Sequence, residues 1–386
     1  MTPDPQTAFH RLFERPPQLL ARAPGRVNLL GEHVDYNAGA VLPAAIDRAV
    51  TLAAAPLDEA IVHLHALDLD ESVRFRLDAL ESRLDVDGAP LPDWARYPAG
   101  VAWALREAGL EVGGLQAVFT SDVPMGAGLS SSAAVELAFA VTWQALGGWE
   151  ASPLRLAQLA QRAENGYVGV QCGLMDQFAS ACGVDGHALY FDTRSLQWEA
   201  VPLPPESAIV IADSGVRRSL AHSAYNQRRA ACEQAASLLD IPALRDITPP
   251  EFARRAASLP ADIRPFARHV VEEIARVAQA AQALRSGDAA AFGALMFAGH
   301  ASLRDLYHVS TPELDALVEI AAELPGCYGA RLTGAGFGGC TVNLVDSACA
   351  RQFADSLQEG YRARTGRAAR VYICRAAQGA RARLLT

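Results

Sequence analysis

The chain has no lysine: all 34 basic side chains among its 386 residues are arginine. That absence is a chemical constraint. A Walker A loop needs G-x-x-x-x-G-K-[ST], and a protein kinase needs the lysine of V-A-I-K, so neither is present. Chemistry that attaches a carbonyl or pyridoxal phosphate to an ε-amine is excluded as well. A bound nucleotide would have to be neutralised by Mg²⁺, backbone amides and arginine. The seven cysteines include no C-x-x-C pair, and their odd number reads as reduced, buried thiols in a cytoplasmic protein. No apolar run reaches the ~18 residues of a spanning helix, because Glu136 interrupts the best candidate; no membrane partner is expected. A net charge of −9, with no basic cluster carrying interleaved aromatics, argues against nucleic acid as a partner. The opening MTPDPQTAFHRLFERPPQ has neither an apolar core nor a basic leader, so no signal peptide is expected.

With 51% apolar and 20% charged residues the composition is that of an ordinary globular protein, long enough for two cores. The chain turns on residues 121–140, SDVPMGAGLSSSAAVELAFA. A strand-like run over 115–121 feeds a Pro-Met-Gly-Ala-Gly turn, and serines 130, 131 and 132 then open an apolar helix. Gly126 and Gly128 let backbone approach an anion, and the first N–H groups of a helix have no partner of their own. The helix dipole adds roughly half a positive charge there. The serine hydroxyls can serve as caps, phosphate donors or magnesium ligands. A plain serine-capped helix has the same local chemistry.

The second dense stretch is 26–43, RVNLLGEHVDYNAGAVLP, where Arg26, Asn28, Glu32, His33, Asp35, Tyr36 and Asn37 crowd among turn residues. A loop so rich in hydrogen-bonding groups is more often a site than a connector. Alternating runs near 49–54, 61–67 and 72–77 predict strands of an antiparallel sheet. His63 and His65 share one face of the second run; with no third ligand nearby they read as partly exposed histidines rather than a metal pair. Helices are expected over 94–110 and 153–164, then a glycine-rich turn and a short helix carrying Asp176 among Leu174, Met175 and Phe178. A carboxylate in such company is costly unless paired or functional. The pattern breaks at 190–205, which sets domains at 1–195 and 196–386. The second half reads as mainly helical, with strands near 328–332, 340–345 and 370–374. Gly334–Gly339, GAGFGG, fits G-x-G-x-x-G, but an apolar β run, CTVNLV, follows instead of a helix. That rules out a Rossmann fingerprint and leaves a glycine loop that closes over a ligand or packs beside the other one.

Together these stretches resemble the galactokinases of the GHMP small-molecule kinase superfamily. GRVNLLGEHVDYNAG (25–39) is similar to their sugar-binding signature, PMGAGLSSSAA (124–134) to the superfamily ATP loop and LTGAGFGGC (332–340) to its third motif. CGLMDQF, SAYNQRRAACE and SLRDLYHVSTPELD add further resemblance, which spans nearly the whole chain. The resemblance implies an α+β fold of two domains with the active site in the cleft between them. It implies ATP-dependent phosphorylation of the C1 hydroxyl of galactose, the first step of the Leloir pathway, by a monomer or weak dimer. By position it places Glu32, His33, Val34, Asp35, Gly173 and Tyr225 at the sugar. It places Gly126, Ala127, Gly128, Leu129, Ser130, Ser131 and Ser132 at the ATP phosphates, Trp94 and Tyr97 near adenine, and Ser132 with Glu164 near Mg²⁺. Asp176 falls at the catalytic acid position with Arg26 as its partner, which would keep the acid ionised; the other reading of that pair is a plain salt bridge. Two departures stand out, Val34 for the usual threonine and Asn165 after Glu164 where histidine is expected. The alternatives are another GHMP kinase, acting on N-acetylgalactosamine, another sugar, mevalonate or homoserine, and a non-catalytic sugar and ATP sensor.

Overall fold

The protein is described by a computed structural model covering residues 4–217 and 221–385. Twelve strands are assigned among the described residues, in two sheets. The first holds β1 (Leu19–Leu30), β2 (Ala40–Leu57), β3 (Ile61–Ala66), β4 (Glu71–Arg76), β5 (Gly114–Ser121), β6 (His187–Asp192) and β7 (Trp198–Pro202). The second holds β8 (Ser207–Asp213), β9 (Cys327–Thr333), β10 (Cys340–Asp346) and β11 (Arg370–Cys374), and β12 (Arg381–Leu384) returns to the first.

In the first sheet the order is β12-β1-β2-β5-β3-β4, with β6 on the start of β2 and β7 beyond it. The long β2 divides its partners, giving Ala40 and Val41 to β6 and Val50–Leu57 to β5. The expectation of an antiparallel sheet needs one correction, since β3 and β5 run parallel. Strand β4 and the helix Asp93–Glu107 together make the long connection from β3 to β5, the kind of crossover that a parallel pair needs. A cut between residues 195 and 196 does not follow the sheets either. Both β7 and β12 hydrogen-bond into the first sheet, so the chain's last strand closes the edge beside its first.

The helices Asp93–Glu107, Ser131–Gly147 and Met175–Cys182 bury their apolar sides in the first core, with Leu52, Leu137, Phe139 and Phe178 among its fully buried side chains. Phe178 stacks on Phe191 of β6 with centroids 3.8 Å apart and planes 12° from parallel. That stack ties the helix bearing Asp176 to the sheet. Phe178→Ala is expected to cost about 3–5 kcal/mol, read as a lower midpoint in urea unfolding.

A second core joins the two sheets: Val27 and Leu29 of β1 pack with Ile209 and Ile211 of β8, Val342 and Leu344 of β10, and Val277 and Phe292. The far half of β1 is therefore a seam. Its Asn28 N–H donates to Thr333 Oγ1 at 2.9 Å, and that hydroxyl donates back to Asn28 O at 3.1 Å. Loops leaving the ends of β1, β5, β8 and β9 meet at this seam, bringing together segments remote in sequence. No helix among the described residues is long and apolar enough to cross a membrane.

Candidate active site

The glycine–serine turn folds as its composition dictates. Gly126 and Gly128 have φ of 65° and 78°, left-handed values that glycine takes without strain. Ala127 and Leu129 bury their side chains, at 0% and 1% exposure, so they contribute backbone alone. Ser130 is itself left-handed (φ 57°) and stands at the N-cap of the helix Ser131–Gly147, yet no side chain caps that helix. Its hydroxyl is used elsewhere, donating to Asp176 Oδ2 at 2.6 Å. The leading N–H groups of the helix are thus left open to an anion. The third glycine loop lies against this one: a Cβ on Gly334 would stand 3.1 Å from Gly128 O, and one on Gly339 3.1 Å from Ala127 O. Of the two roles open to that loop, packing beside the phosphate loop is the one observed. Between them runs a cleft of about 600 Å³ lined by Gly126, Gly128, Arg217, Gly336 and Gly338.

Arg26 joins this cleft to its neighbour. Nε donates to Asp176 Oδ1 at 3.0 Å, Nη2 lies 2.8 Å from the same oxygen, and Nη1 donates to Gly128 O at 2.6 Å. Three donor groups therefore converge on the Asp176 carboxylate. Its side chain remains 30% exposed, whereas that of Arg26 is 5% exposed. The exposure faces a cavity of about 260 Å³ whose walls include Arg26, Glu32, His33, Asp35, Glu164, Gly173, Asp176 and Tyr225. Ala335 lines both cavities, so the two lie side by side at the third glycine loop.

Inside this cup the sugar-signature residues have distinct environments. A Cβ on Gly173 would fall 1.8 Å from Asp35 Oδ2, so only glycine lets that carboxylate sit there. Burial, with Asp176 as a like-charged neighbour, pushes Asp35 up to about 6. Glu32 is pushed up by burial to about 7, against the pull of Arg331. His33, left-handed at φ 62°, is lowered by burial to about 3 and is neutral. Its Nε2 lies 3.0 Å from Ala335 O, a pure acceptor, so Nε2 carries the proton. Nδ1 then accepts from Tyr36 OH at 2.8 Å, and Tyr36 accepts from Tyr307 OH at 2.7 Å. His33, placed at the sugar by its motif, lines the cup with both ring nitrogens engaged within the protein. Val34 is a correction: it is fully buried in the first core and lines neither cavity. Its backbone is what matters locally, accepting from Asn37 and Gly39 N–H at 3.0 and 2.8 Å.

Beneath Asp176 lies a pair of acids. Gln177 Nε2 donates to Glu164 Oε2 at 2.5 Å and Glu136 Oε2 at 3.1 Å. Burial, then the neighbouring Glu164, drives Glu136 well above the usual carboxylate range. Burial raises Glu164 too, while the Ser132 hydroxyl bonds its carboxylate. Ser132 and Glu164 thus offer adjacent oxygen donors next to the phosphate loop. Among the described residues no group of three or more His, Cys, Asp or Glu side chains could hold a metal unaided. Two protein oxygens completed by substrate oxygens and water is, however, the arrangement Mg²⁺ favours. Asn165, in the position where histidine was expected, pins the cup wall: its Oδ1 accepts from Cys172 N–H at 3.0 Å. Trp94 lies against Phe119 and donates to Glu71 at 2.6 Å, outside both cavities. Tyr97, from the same helix, is raised to about 12 by burial and by Glu164 and Glu136, and lines neither cavity.

The chain matches the models of three protein families: the galactokinase galactose-binding signature over residues 7–56, the GHMP kinase N-terminal domain over 96–184 and the GHMP kinase C-terminal domain over 280–363. It is 49% identical to the galactokinase of Roseiflexus sp. (strain RS-1) over 376 residues, 96% of this chain and 94% of that one. The chain belongs to the galactokinase family. Human galactokinase is 44% identical over 379 residues, 97% of this chain and 94% of the human one. Among solved structures, Lactococcus lactis galactokinase complexed with galactose aligns with a TM-score of 0.91 and 33% identity, over 97% of this chain and 98% of that chain. The Methanococcus jannaschii mevalonate kinase, at 19% identity and a TM-score of 0.66 over 94% and 99% of the two chains, shares the fold. In this galactokinase-family chain, residues that motif reading passed over complete the site. Arg217 lies over the phosphate loop, its Nε 3.4 Å from where a Gly126 Cβ would be, held by Asp213 at 2.7 and 2.8 Å. Arg331, Glu273, Glu136 and Gln177 sit behind the cup, and the only signal along the chain was a charged or polar residue inside an apolar run.

Proposed function

We propose that the protein transfers the γ-phosphoryl group of ATP to the anomeric C1 hydroxyl of D-galactose, giving galactose 1-phosphate and ADP. The observation that carries this reading is the Arg26 bridge, which holds Asp176 of the sugar cup and Gly128 of the phosphate loop with one guanidinium. Phosphoryl transfer is mostly positioning and charge stabilisation. The open N–H groups of the helix Ser131–Gly147, together with Arg217, receive the triphosphate in the lysine-free cleft. Asp176 accepts or orients the proton of the C1 hydroxyl, and Arg26 faces the charge on the moving phosphoryl group. Asp35 and Glu32 accept from ring hydroxyls. A wrong epimer would leave these buried acceptors unpaired, and that selects the sugar. Ser132 and Glu164 would hold Mg²⁺, which neutralises charge on the β and γ phosphates when bound. Glu164→Gln should raise the Mg²⁺ concentration needed for half-maximal rate by about tenfold or more, and should raise the Mg²⁺ needed for ATP binding measured by calorimetry without sugar.

An ADP-coupled assay with galactose, N-acetylgalactosamine, glucose and mevalonate side by side tests the assignment. Galactose should give the highest kcat/KM; preference for another substrate moves the protein to another GHMP activity, and binding without ADP release makes it a sensor. The pH dependence has a definite sign. Asp35 and Glu32 are raised in the folded state, to about 6 and about 7, so ionising them weakens the sugar-free fold as pH rises through that window. Accepting hydroxyls requires the ionised forms. Measured against Asp35→Asn/Glu32→Gln, the melting temperature without sugar should therefore fall from about pH 4 to about pH 7 and level off above it, while kcat/KM for galactose rises; parallel trends would contradict the assignment of these carboxylates.

A further inference from the structure

Behind the sugar cup lies a charge cluster that the transfer chemistry does not use. Arg331, on β9, is fully buried between two carboxylates that are themselves buried: Nη2 pairs with Glu32 Oε2, and Nη1 lies 2.8 Å from Glu273 Oε1. Glu273 has a second cation in Arg276 and accepts Gly31 N–H at 2.9 Å; these cations hold it down to about 2 against the effect of burial. Glu32 has one arm of Arg331 and a long bond, 3.3 Å, from Gly334 N–H. The backbone makes room for the guanidinium, because a Cβ on Gly299 would stand 2.9 Å from Arg331 Nη1. Burying ions does not in itself stabilise a fold, since desolvation offsets the attraction, and apolar residues of similar volume serve as well or better. The cluster's position supplies another reason for it. Glu32 is the one member that lines the cup, and β9 runs directly into the glycine loop shared by both cavities.

We propose that Arg331 is a positioning residue for sugar recognition, fixing the orientation and negative charge of Glu32 so that this carboxylate presents an acceptor to a galactose hydroxyl. The inference rests on the reading that Glu32 contacts the sugar. Arg331 touches neither substrate, so its effect belongs in the sugar KM and not in turnover. The charged groups facing the Glu32 carboxylate are Arg331, Arg26 and Glu273, with His269 Nε2 3.5 Å from the Glu32 backbone carbonyl, and of the cations only Arg331 pairs with the carboxylate. Removing it leaves Glu32 harder to ionise.

The test is kcat and KM for both substrates across pH in the full-length enzyme, for Arg331→Met, Gly299→Ala and Glu32→Gln. Arg331→Met should raise the galactose KM about tenfold or more, the value of a lost hydrogen bond to a charged group. The ATP KM and kcat should stay within about threefold. The acid limb of kcat/KM for galactose should move to higher pH, which a merely structural role would not produce. Gly299→Ala, which crowds the guanidinium without removing it, should shift the galactose KM in the same direction by less. Adding Glu32→Gln to Arg331→Met should cost little more than Arg331→Met alone. A wild-type galactose KM with an unmoved acid limb in Arg331→Met, or in Gly299→Ala if the first variant does not fold, overturns the inference. A wild-type galactose KM in Glu32→Gln overturns it along with the sugar role of Glu32. If Glu32→Gln raises that KM while the folded Arg331 variant does not, the sugar reading survives and this inference alone fails.

Discussion

Asp176→Asn is expected to lower kcat for galactose by at least ~10²-fold, the lower end of what a positioned general base contributes, with the galactose KM changed by no more than about threefold. The substitution keeps the shape of the side chain and its place at the head of the helix Met175–Cys182. What it removes is charge and proton acceptance. Arg26 and the Ser130 hydroxyl both donate to this carboxylate, at 3.0 and 2.6 Å; an amide can satisfy one of them and sets its own NH₂ against the other. The C1 hydroxyl then has no acceptor at the moment it attacks phosphorus. Pre-steady-state measurement of ADP formation separates this loss from slow product release. A turnover near that of the wild type would remove Asp176 from the chemistry and leave the Arg26 pair as a plain salt bridge.

Arg26→Gln is the second large effect, an expected loss of about 10²–10³-fold in kcat/KM for either substrate, the range seen when one preorganised charge-stabilising donor is deleted. Arg26 is almost wholly buried and reaches both Asp176 and Gly128 O. Its replacement therefore loosens the phosphate loop and unpairs the acid in one step. Because the two residues act as a unit, the losses should not add: Arg26→Gln combined with Asp176→Asn should be less active than the worse single variant by under about tenfold. Full additivity would mean that the two side chains contribute independently and that the bridge has no bearing on transfer.

Local chemistry was legible along the chain wherever a few neighbouring residues suffice to define it. Glycines 126 and 128 with the serines after them specify a turn with left-handed positions and a helix start, and that is how they fold. The crowded polar loop 31–37 and the short helix with Asp176 were visible for the same reason, since spacing alone places them. Val34 shows the limit of motif reading. A motif gives a position a role, but packing turned Val34 into the core.

Residues that answer to distant partners could not be read this way. Arg331 meets Glu32 and Glu273, and Gly31 meets Glu273 across 242 positions of sequence. An arginine in an apolar strand looks from its neighbours like an error of pattern, and becomes sensible only once its counter-charges arrive. The parallel pairing of β3 with β5 and the return of β12 to β1 were likewise settled by which backbones met. Amino-acid order sets propensity and the chemistry available in each loop over a few residues; pairing, burial and charge state depend on groups brought close by the whole chain.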